Sequence, residues 1–206
     1  MKGNKRIEYQ FYHWGPFLYK TKLLPEEIKK IETFCKKNKK KDYRSTLAGL
    51  IKHEYQIDSK KLFPIIFPYL DSYLQAYINY AAKVMGTKIE LVSSWVNYMT
   101  KFESNPMHTH DEDLSFVIYT QVPKELKQEV KNTVGNTQPG LINFVYTLGT
   151  GKYNINQHTF MPEVGDFFIF PASLNHSVNH FQSEGERISV SGNVKIKQSI
   201  KNERNK

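Results

Sequence analysis

The amino-acid sequence predicts a mainly β, α+β protein in which helices precede a β-sandwich or β-barrel. Residues 58–84 place apolar side chains at the i, i+3 and i+4 spacing of a helix. After Gly86 the pattern changes to short β-prone runs separated by Pro, Gly and Asn, which is typical of a sandwich or barrel. The length of 206 residues suits one domain. We expect a helical layer over 1–86, a β core over 87–196 and a basic tail over 197–206.

The N-terminal layer is expected to contain two helices. Residues 24–39 carry Pro25 and two acids in the first turn, both of which favour a helix N-terminus. In the second helix, Pro64 and Pro68 should confine the uninterrupted part to residue 68 onward, because proline lacks the amide donor. Alternating residues at 7–11 predict a short strand, and 42–56 is expected to be a loop or short helix.

The second half of the chain is expected to form the strands. Asn-Pro, Gln-Pro-Gly and isolated glycines mark the turns between apolar runs. A further polar strand should carry His176. The five β-prone runs cover residues 89–102, 114–122, 141–147, 166–170 and 187–196.

The chain is basic, with 29 Lys and Arg against 20 Asp and Glu, a net charge of +9. Such a balance raises the hypothesis of nucleic-acid binding. The lysines, however, concentrate at 29–41 and 195–206, with few aromatic residues to stack on bases. A solvated helix end and tail is the favoured interpretation, and nucleic acid stays a weakly supported partner.

The single cysteine, Cys35, excludes an intrachain disulfide and any multi-cysteine zinc or iron–sulfur site. No run reaches the roughly 18 apolar residues that span a bilayer, and no apolar signal-peptide core follows the N-terminus. We therefore expect a soluble, cytoplasmic protein without a membrane partner. A bound metal would have to be held by imidazole and carboxylate groups.

Two of the regions that contain histidine look organised. His108-Thr109-His110 directly precedes a β-prone run, and on an extended chain alternate residues point to the same side. His176 follows a second apolar run and a proline-containing bend. A redox-capable Fe(II) site needs a few imidazole or carboxylate ligands on one face, with positions left open. The lack of cysteine ligands argues against structural zinc.

Residues 187–193 alternate so that Arg187, Ser189, Ser191 and Asn193 share one face of a strand. A polar face inside a barrel needs an internal ligand. The guanidinium of Arg187 is a planar fork that suits a carboxylate, and Ser189 offers a hydroxyl beside it. The alternative is a surface salt bridge with Glu184 or Glu186.

Taken in order, these segments resemble the 2-oxoglutarate/Fe(II)-dependent oxygenase superfamily, in particular the small prolyl-hydroxylase-like members of bacteria and phages. The resemblance covers about residues 90–196 and implies a double-stranded β-helix, a jelly-roll or cupin-like barrel with helices packed on one face. The segments that carry it are Trp95-Val96-Asn97-Tyr98, His108-Thr109-His110, residues 114–119, residues 165–171, residues 174–178 and residues 187–193.

The resemblance also implies roles for individual residues. His176 matches the distal iron ligand, and Arg187 matches the basic residue that pairs with the C5 carboxylate of 2-oxoglutarate, assisted by Ser189. Tyr119 and Asn97 are candidate cosubstrate or pocket residues. The implied reaction uses Fe(II) and O₂, converts 2-oxoglutarate to succinate and hydroxylates a peptide, protein or small molecule. No catalytic residue beyond the metal centre is assigned.

The first ligand pair departs from the superfamily pattern, which is His-x-Asp or His-x-Glu. One register supplies His108 and His110 as ligands, in a His-x-His form. The other supplies His110 and Glu112, which places the carboxylate only two residues before the next strand. We favour the first register, and His110 is common to both.

Two other functions stay open at this point. A cupin-like metal protein of another class would share the barrel and the histidines but would not need Arg187. A basic nucleic-acid-binding module would show salt-dependent affinity and no bound iron.

Overall fold

The computed structural model describes residues 15–37, 41–81, 88–135, 138–146 and 155–197. The elements in chain order are β1 (Tyr19–Lys22), α1 (Pro25–Lys37), β2 (Glu54–Gln56), α2 (Ser59–Ala81), β3 (Lys88–Met99), β4 (Asn105–His108), β5 (Leu114–Gln121), α3 (Leu126–Asn132), β6 (Ile142–Val145), β7 (Gln157–Phe160), β8 (Asp166–Pro171), β9 (Asn175–Val178) and β10 (Arg187–Lys197). A short 3₁₀ turn lies at Arg44–Thr46.

The strands form two antiparallel sheets. The major sheet has six strands in the order β1-β8-β5-β10-β3-β2, and the minor sheet has four in the order β4-β9-β6-β7. This arrangement confirms the predicted double-stranded β-helix with helices beside it. Strands β3, β5, β6, β8 and β10 confirm the five predicted runs, and β9 is the polar strand that carries His176.

The N-terminal part supplies more than helices. β1 pairs with β8, and β2 pairs with β3, so each extends one edge of the major sheet. The second of these lies within 42–56, where we expected a loop or short helix, because three residues without strong periodicity are too short a signal. The strand predicted at 7–11 and the tail beyond residue 197 lie outside the described residues.

The prediction that the prolines limit the second helix was wrong, because α2 runs unbroken from Ser59 to Ala81 through Pro64 and Pro68. Both prolines are exposed and four residues apart, on the solvent side of the helix. Water can therefore bind the carbonyl groups that lose their amide donors. Within the described part of the chain, no helix is long and apolar enough to cross a membrane.

Two apolar cores lie on opposite faces of the major sheet. The outer core contains the buried face of α2, with Leu62, Ile66 and Leu70, against strand residues such as Val96 and Val190. Cys35 is buried in this core, and burial raises the pKa of its thiol to about 12. The inner core fills the space between the sheets and is rich in aromatic residues, including Tyr119, Phe144, Phe168, Phe170 and Phe181.

Candidate active site

Three histidines converge on the inner side of the minor sheet. His108 on β4 and His176 on β9 are direct partners across the strand pair. His110 follows β4, where its backbone N–H donates to Ala172 O at 2.9 Å. One candidate ligand atom from each of the three lies within 4.8 Å of the others. Within the described residues, this is the one group of three or more His, Cys, Asp or Glu that could hold a metal ion.

The backbone orients two of the imidazole rings. Nδ1 of His108 lies 2.7 Å from Pro106 O, and Nδ1 of His176 lies 2.9 Å from Leu174 O. A carbonyl oxygen can only accept, so each Nδ1 carries the proton and donates it. The remaining nitrogen, Nε2, then has a free lone pair, which is the arrangement that metal-binding histidines use.

Burial also keeps these rings neutral. It lowers the pKa of His176 to about 3 and the pKa of His110 to about 4, and in both cases the neighbouring His108 adds to the effect. Burial likewise lowers the pKa of His108. Neutral imidazole is the metal-binding form, so all three rings are ready to coordinate a cation near pH 7.

Arg187 lies in the same cavity and is 2% exposed. Its Nη2 donates to Tyr119 Oη at 2.7 Å, and its guanidinium carbon lies 4.6 Å from the centroid of the Tyr119 ring. Burial lowers the pKa of Arg187 and raises the pKa of Tyr119. The surface salt bridge with Glu184 or Glu186 is not formed; Glu184 pairs with Lys101 instead.

No ion pair involves Arg187 among the described residues, and its buried Nε has no hydrogen-bond partner there. Burying a guanidinium without an anion is costly. The cavity therefore has a fixed positive charge that an anionic ligand would compensate.

The polar residues beside Arg187 form a row across the major sheet. Ser189 on β10 pairs with Asn97 on β3 and with Tyr119 on β5, and all three line the cavity. The structure thus brings together every residue of the favoured sequence hypothesis. Asn97 Oδ1 is buried and has no hydrogen-bond partner within the described ranges.

Glu112, the carboxylate of the alternate register, does not join the histidine cluster. The neighbouring acids serve the turn instead. Asp113 accepts a hydrogen bond from Ile196 N at 2.6 Å through Oδ2, and its carbonyl accepts one from Ala172 N. The structure therefore groups the side chains of the first register, His108 and His110 with His176.

The sequence did not indicate every residue that lines the cavity. Asn105 lines the cavity with a buried, unpartnered Oδ1, but its position before Pro106 indicated only a turn. Trp95 also lines the cavity, and the centroid of its ring lies 5.7 Å from that of His110. Ser191 also lines the cavity, on the polar face of β10 that the sequence predicts. The remaining lining residues are apolar and include Met99, Val117, Ile142, Phe170 and Val178.

The other histidines lie away from this cluster. His53, His158 and His180 are exposed, and His53 stacks on Tyr55. His13 lies outside the described residues.

A comparison with protein families matches residues 93–193 to the family described as "Putative 2OG-Fe(II) oxygenase". This segment contains all three clustered histidines and Arg187. No curated protein matches the chain.

Solved structures with the same fold extend the comparison to most of the chain. A Pseudomonas putida prolyl-4-hydroxylase superposes with a TM-score of 0.53 at 13% identity, covering 87% of this chain and 92% of its own. The collagen prolyl hydroxylase of Paramecium bursaria Chlorella virus-1, solved with 2-oxoglutarate, gives 0.55 at 12% identity, with 86% and 94% covered. HygX from Streptomyces hygroscopicus, with nickel, 2-oxoglutarate and hygromycin B bound, gives 0.56 at 11% identity, with 88% and 83% covered.

The family match contains His108, His110, His176 and Arg187, and the solved structures cover most of the chain. Iron, 2-oxoglutarate and O₂ are the cofactor and cosubstrates of this class. The segment 93–193, which contains the three histidines and Arg187, therefore belongs to the family of 2-oxoglutarate- and Fe(II)-dependent oxygenases.

Proposed function

We propose that this oxygenase is a hydroxylase in which His108, His110 and His176 hold Fe(II) and Arg187 binds the C5 carboxylate of 2-oxoglutarate. The observation that carries the proposal is the buried, unpaired guanidinium in the same cavity as three neutral imidazoles. A dicarboxylate that reaches from a metal to a cation fits this arrangement of charges. Succinate and CO₂ are the expected products from the cosubstrate.

Arg187 is prepared for a carboxylate by its neighbours. Tyr119 Oη holds Nη2 at 2.7 Å, and the tyrosine ring supports the guanidinium plane. Nε is free, and Nη1 has a weak sulfur acceptor, Met99 Sδ, at 3.8 Å. These donors can turn to an anion at little cost, because the bonds that they give up are weak or absent. Ser189 adds a hydroxyl donor, and Asn97 an amide.

The three imidazoles carry no charge to offset a divalent cation. In this cavity the anionic group next to the metal would therefore come from the cosubstrate and not from the protein. When bound, Fe(II) supplies the activation of O₂ that hydroxylation of a C–H bond requires. The apolar wall formed by Val117, Ile142 and Phe170 limits the access of water to this space.

The prime substrate is a peptide, a protein or a small molecule. One protein of the same fold is named a collagen prolyl hydroxylase and another is solved with hygromycin B, so both classes stay within the proposal. We expect the protein to be located in the cytoplasm.

Replacement of Arg187 by Ala tests the cosubstrate assignment. The KM for 2-oxoglutarate should rise at least tenfold, since a charge-assisted hydrogen bond contributes about 1.5–3 kcal/mol. Fe(II) affinity should stay unchanged, because a guanidinium has only donors and offers no lone pair to a metal ion. Lys195→Ala is the control, because Lys195 is an exposed basic residue on the same strand as Arg187.

Succinate formation with an unchanged KM in Arg187→Ala would contradict the assignment. It would favour a cupin-like metal protein of another class, in which Arg187 has no cosubstrate to bind.

A further inference from the structure

Glu54 is a buried carboxyl group that the proposed function does not use. It lies at the start of β2 and is 1% exposed, and its Oε2 has no hydrogen-bond partner among the described residues. Burying an acid without a partner is unfavourable, and native proteins rarely keep such a group without a reason.

The strand register places Glu54 beside the cosubstrate pocket. Glu54 pairs with Asn97 across β2 and β3, so the two side chains lie on the same face of the sheet. The same row continues through Ser189 to Tyr119, the partner of Arg187. Asn97 also has a buried oxygen, Oδ1, that lacks a hydrogen-bond partner in the part of the chain that the structure describes. Two orphaned acceptors therefore occupy neighbouring positions at the edge of the cavity.

Two acceptors cannot bond to each other unless one of them gains a proton. The surroundings of Glu54 favour that proton. Burial and the nearby Glu103 raise the pKa of Glu54 to about 7, with a smaller contribution from Asp42 and an opposing one from Arg44. Glu103 does not donate a hydrogen bond to this pair, because its two carboxylate oxygens already accept hydrogen bonds from Lys52 N and Thr100 N.

The loop before β2 leaves space for the carboxyl group. A Cβ atom added to Gly49 would lie 2.6 Å from Glu54 Oε1 and 3.2 Å from its carboxyl carbon. Any side chain at residue 49 would therefore displace the carboxyl group. The carboxyl group of Glu54 can therefore occupy this place because residue 49 has no side chain.

We propose that Glu54 is a positioning residue for Asn97: its carboxyl group donates a hydrogen bond to Asn97 Oδ1 and thereby turns the amide Nδ2 toward the cosubstrate. This inference rests on the proposed function, because it takes the cavity beside Asn97 and Arg187 as the 2-oxoglutarate site. With Asn97 turned in this way, the row from Glu54 to Tyr119 presents hydrogen-bond donors to 2-oxoglutarate, whose carboxylates can only accept.

The test is the affinity for 2-oxoglutarate, measured anaerobically with Fe(II) from pH 6 to pH 8.5. Wild-type affinity should fall several-fold as the pH rises through about 7, because Glu54 then loses the proton that it donates. Glu54→Gln should remove that pH dependence, since its amide donates at every pH. Glu54→Leu should bind several-fold more weakly throughout, and Gly49→Ala should resemble it.

Asn97→Ala is the reference that separates this effect from any other titration. In that background, Glu54→Gln and Glu54→Leu should bind 2-oxoglutarate equally well, because the group that Glu54 positions is gone. Fe(II) affinity should be the same in all variants.

The wild-type and Glu54→Gln proteins suffice if Glu54→Leu does not fold. Equal pH profiles for these two would overturn the inference and leave the proposed function intact. A wild-type chain that binds Fe(II) but not 2-oxoglutarate would overturn the proposed function, and the inference with it.

Discussion

His110 is the residue at which this chain departs most clearly from the superfamily. It stands where His-x-Asp or His-x-Glu would place a carboxylate, and the structure groups it with His108 and His176. Its ring lies 5.0 Å from that of His108 and 5.2 Å from that of His176, measured between centroids. The rings of His108 and His176 have backbone acceptors that fix them, whereas Trp95 is the aromatic neighbour of His110.

Substitutions at residue 110 should distinguish a metal ligand from a packed histidine. We expect His110→Ala to lower Fe(II) affinity by more than about tenfold, since loss of even an outer-shell partner of a ligand costs that much. His110→Asp should retain iron, because a carboxylate is also an iron ligand. Calorimetric titration with Fe(II) under anaerobic conditions measures both. His158→Ala, an exposed histidine on β7, is the control.

If His110→Ala bound Fe(II) as tightly as the wild-type chain, His110 would not be a ligand. The alternate register would also fail, since it uses His110 too.

At the scale of elements, β10 was the part most open to prediction. Its alternation separates Arg187, Ser189 and Ser191 from the apolar residues that face the helices, and a two-residue period needs no tertiary information. The partners of β10 could not be predicted in this way. Pairing with β3 and β5 depends on contacts between residues far apart in sequence, and so the neighbourhood of Glu54 and Asn97 became visible only in the structure.

Short elements were also difficult to predict from the sequence. β2, β4 and β7 have three or four residues each, too few for a period to emerge. The sequence did not predict α3, because its seven residues make only about two turns. Glu129 on this helix accepts hydrogen bonds from the backbone of Gln182 and Ser183. The helix α2 is longer than predicted, because the burial of its apolar face outweighs the local cost of two prolines.

Gly192 lies on the apolar face of β10, opposite Arg187, Ser189 and Ser191, where the neighbouring groups leave no room for a side chain. A Cβ atom there would lie 2.5 Å from Ser93 O and 2.7 Å from the Phe116 ring. Gly192→Ala should therefore lower the free energy of unfolding by about 1–3 kcal/mol, the usual cost of overpacking a core. Urea denaturation measures this, with the exposed Lys195→Ala on the same strand as control. A change below about 0.5 kcal/mol would mean that the strands yield more easily than the structure implies.

For the whole molecule, we propose that the helical layer and the barrel fold as one domain. The outer core supports this, because it joins α2 to the major sheet through residues such as Leu70 and Val96. Arg187 lies on β10 of this major sheet, so the stability of the helical layer and the binding of 2-oxoglutarate should be linked. The basic residues of α1 lie on the solvent side.

The metal-free chain should lose stability on acidification. The histidine pKa values are lowered in the folded state, to about 4 for His110 and about 3 for His176, whereas the unfolded chain binds protons below about 6.5. The unfolded state thus holds more protons as the pH falls from about 6.5 to 4, and the free energy of unfolding decreases. Thermal denaturation across this range checks the slope, which His176→Leu should reduce and His158→Ala should not. A slope unaffected by His176→Leu would contradict the buried, neutral state of this ring.

We infer that one cavity binds Fe(II) through the three histidines and 2-oxoglutarate through Arg187. This inference is tested by loading the chain anaerobically with Fe(II) and 2-oxoglutarate, admitting O₂ and quantifying succinate. Succinate should appear even without a prime substrate, should depend on Fe(II) and should be lost in His176→Ala. Binding of Fe(II) with neither 2-oxoglutarate binding nor succinate formation would contradict the inference.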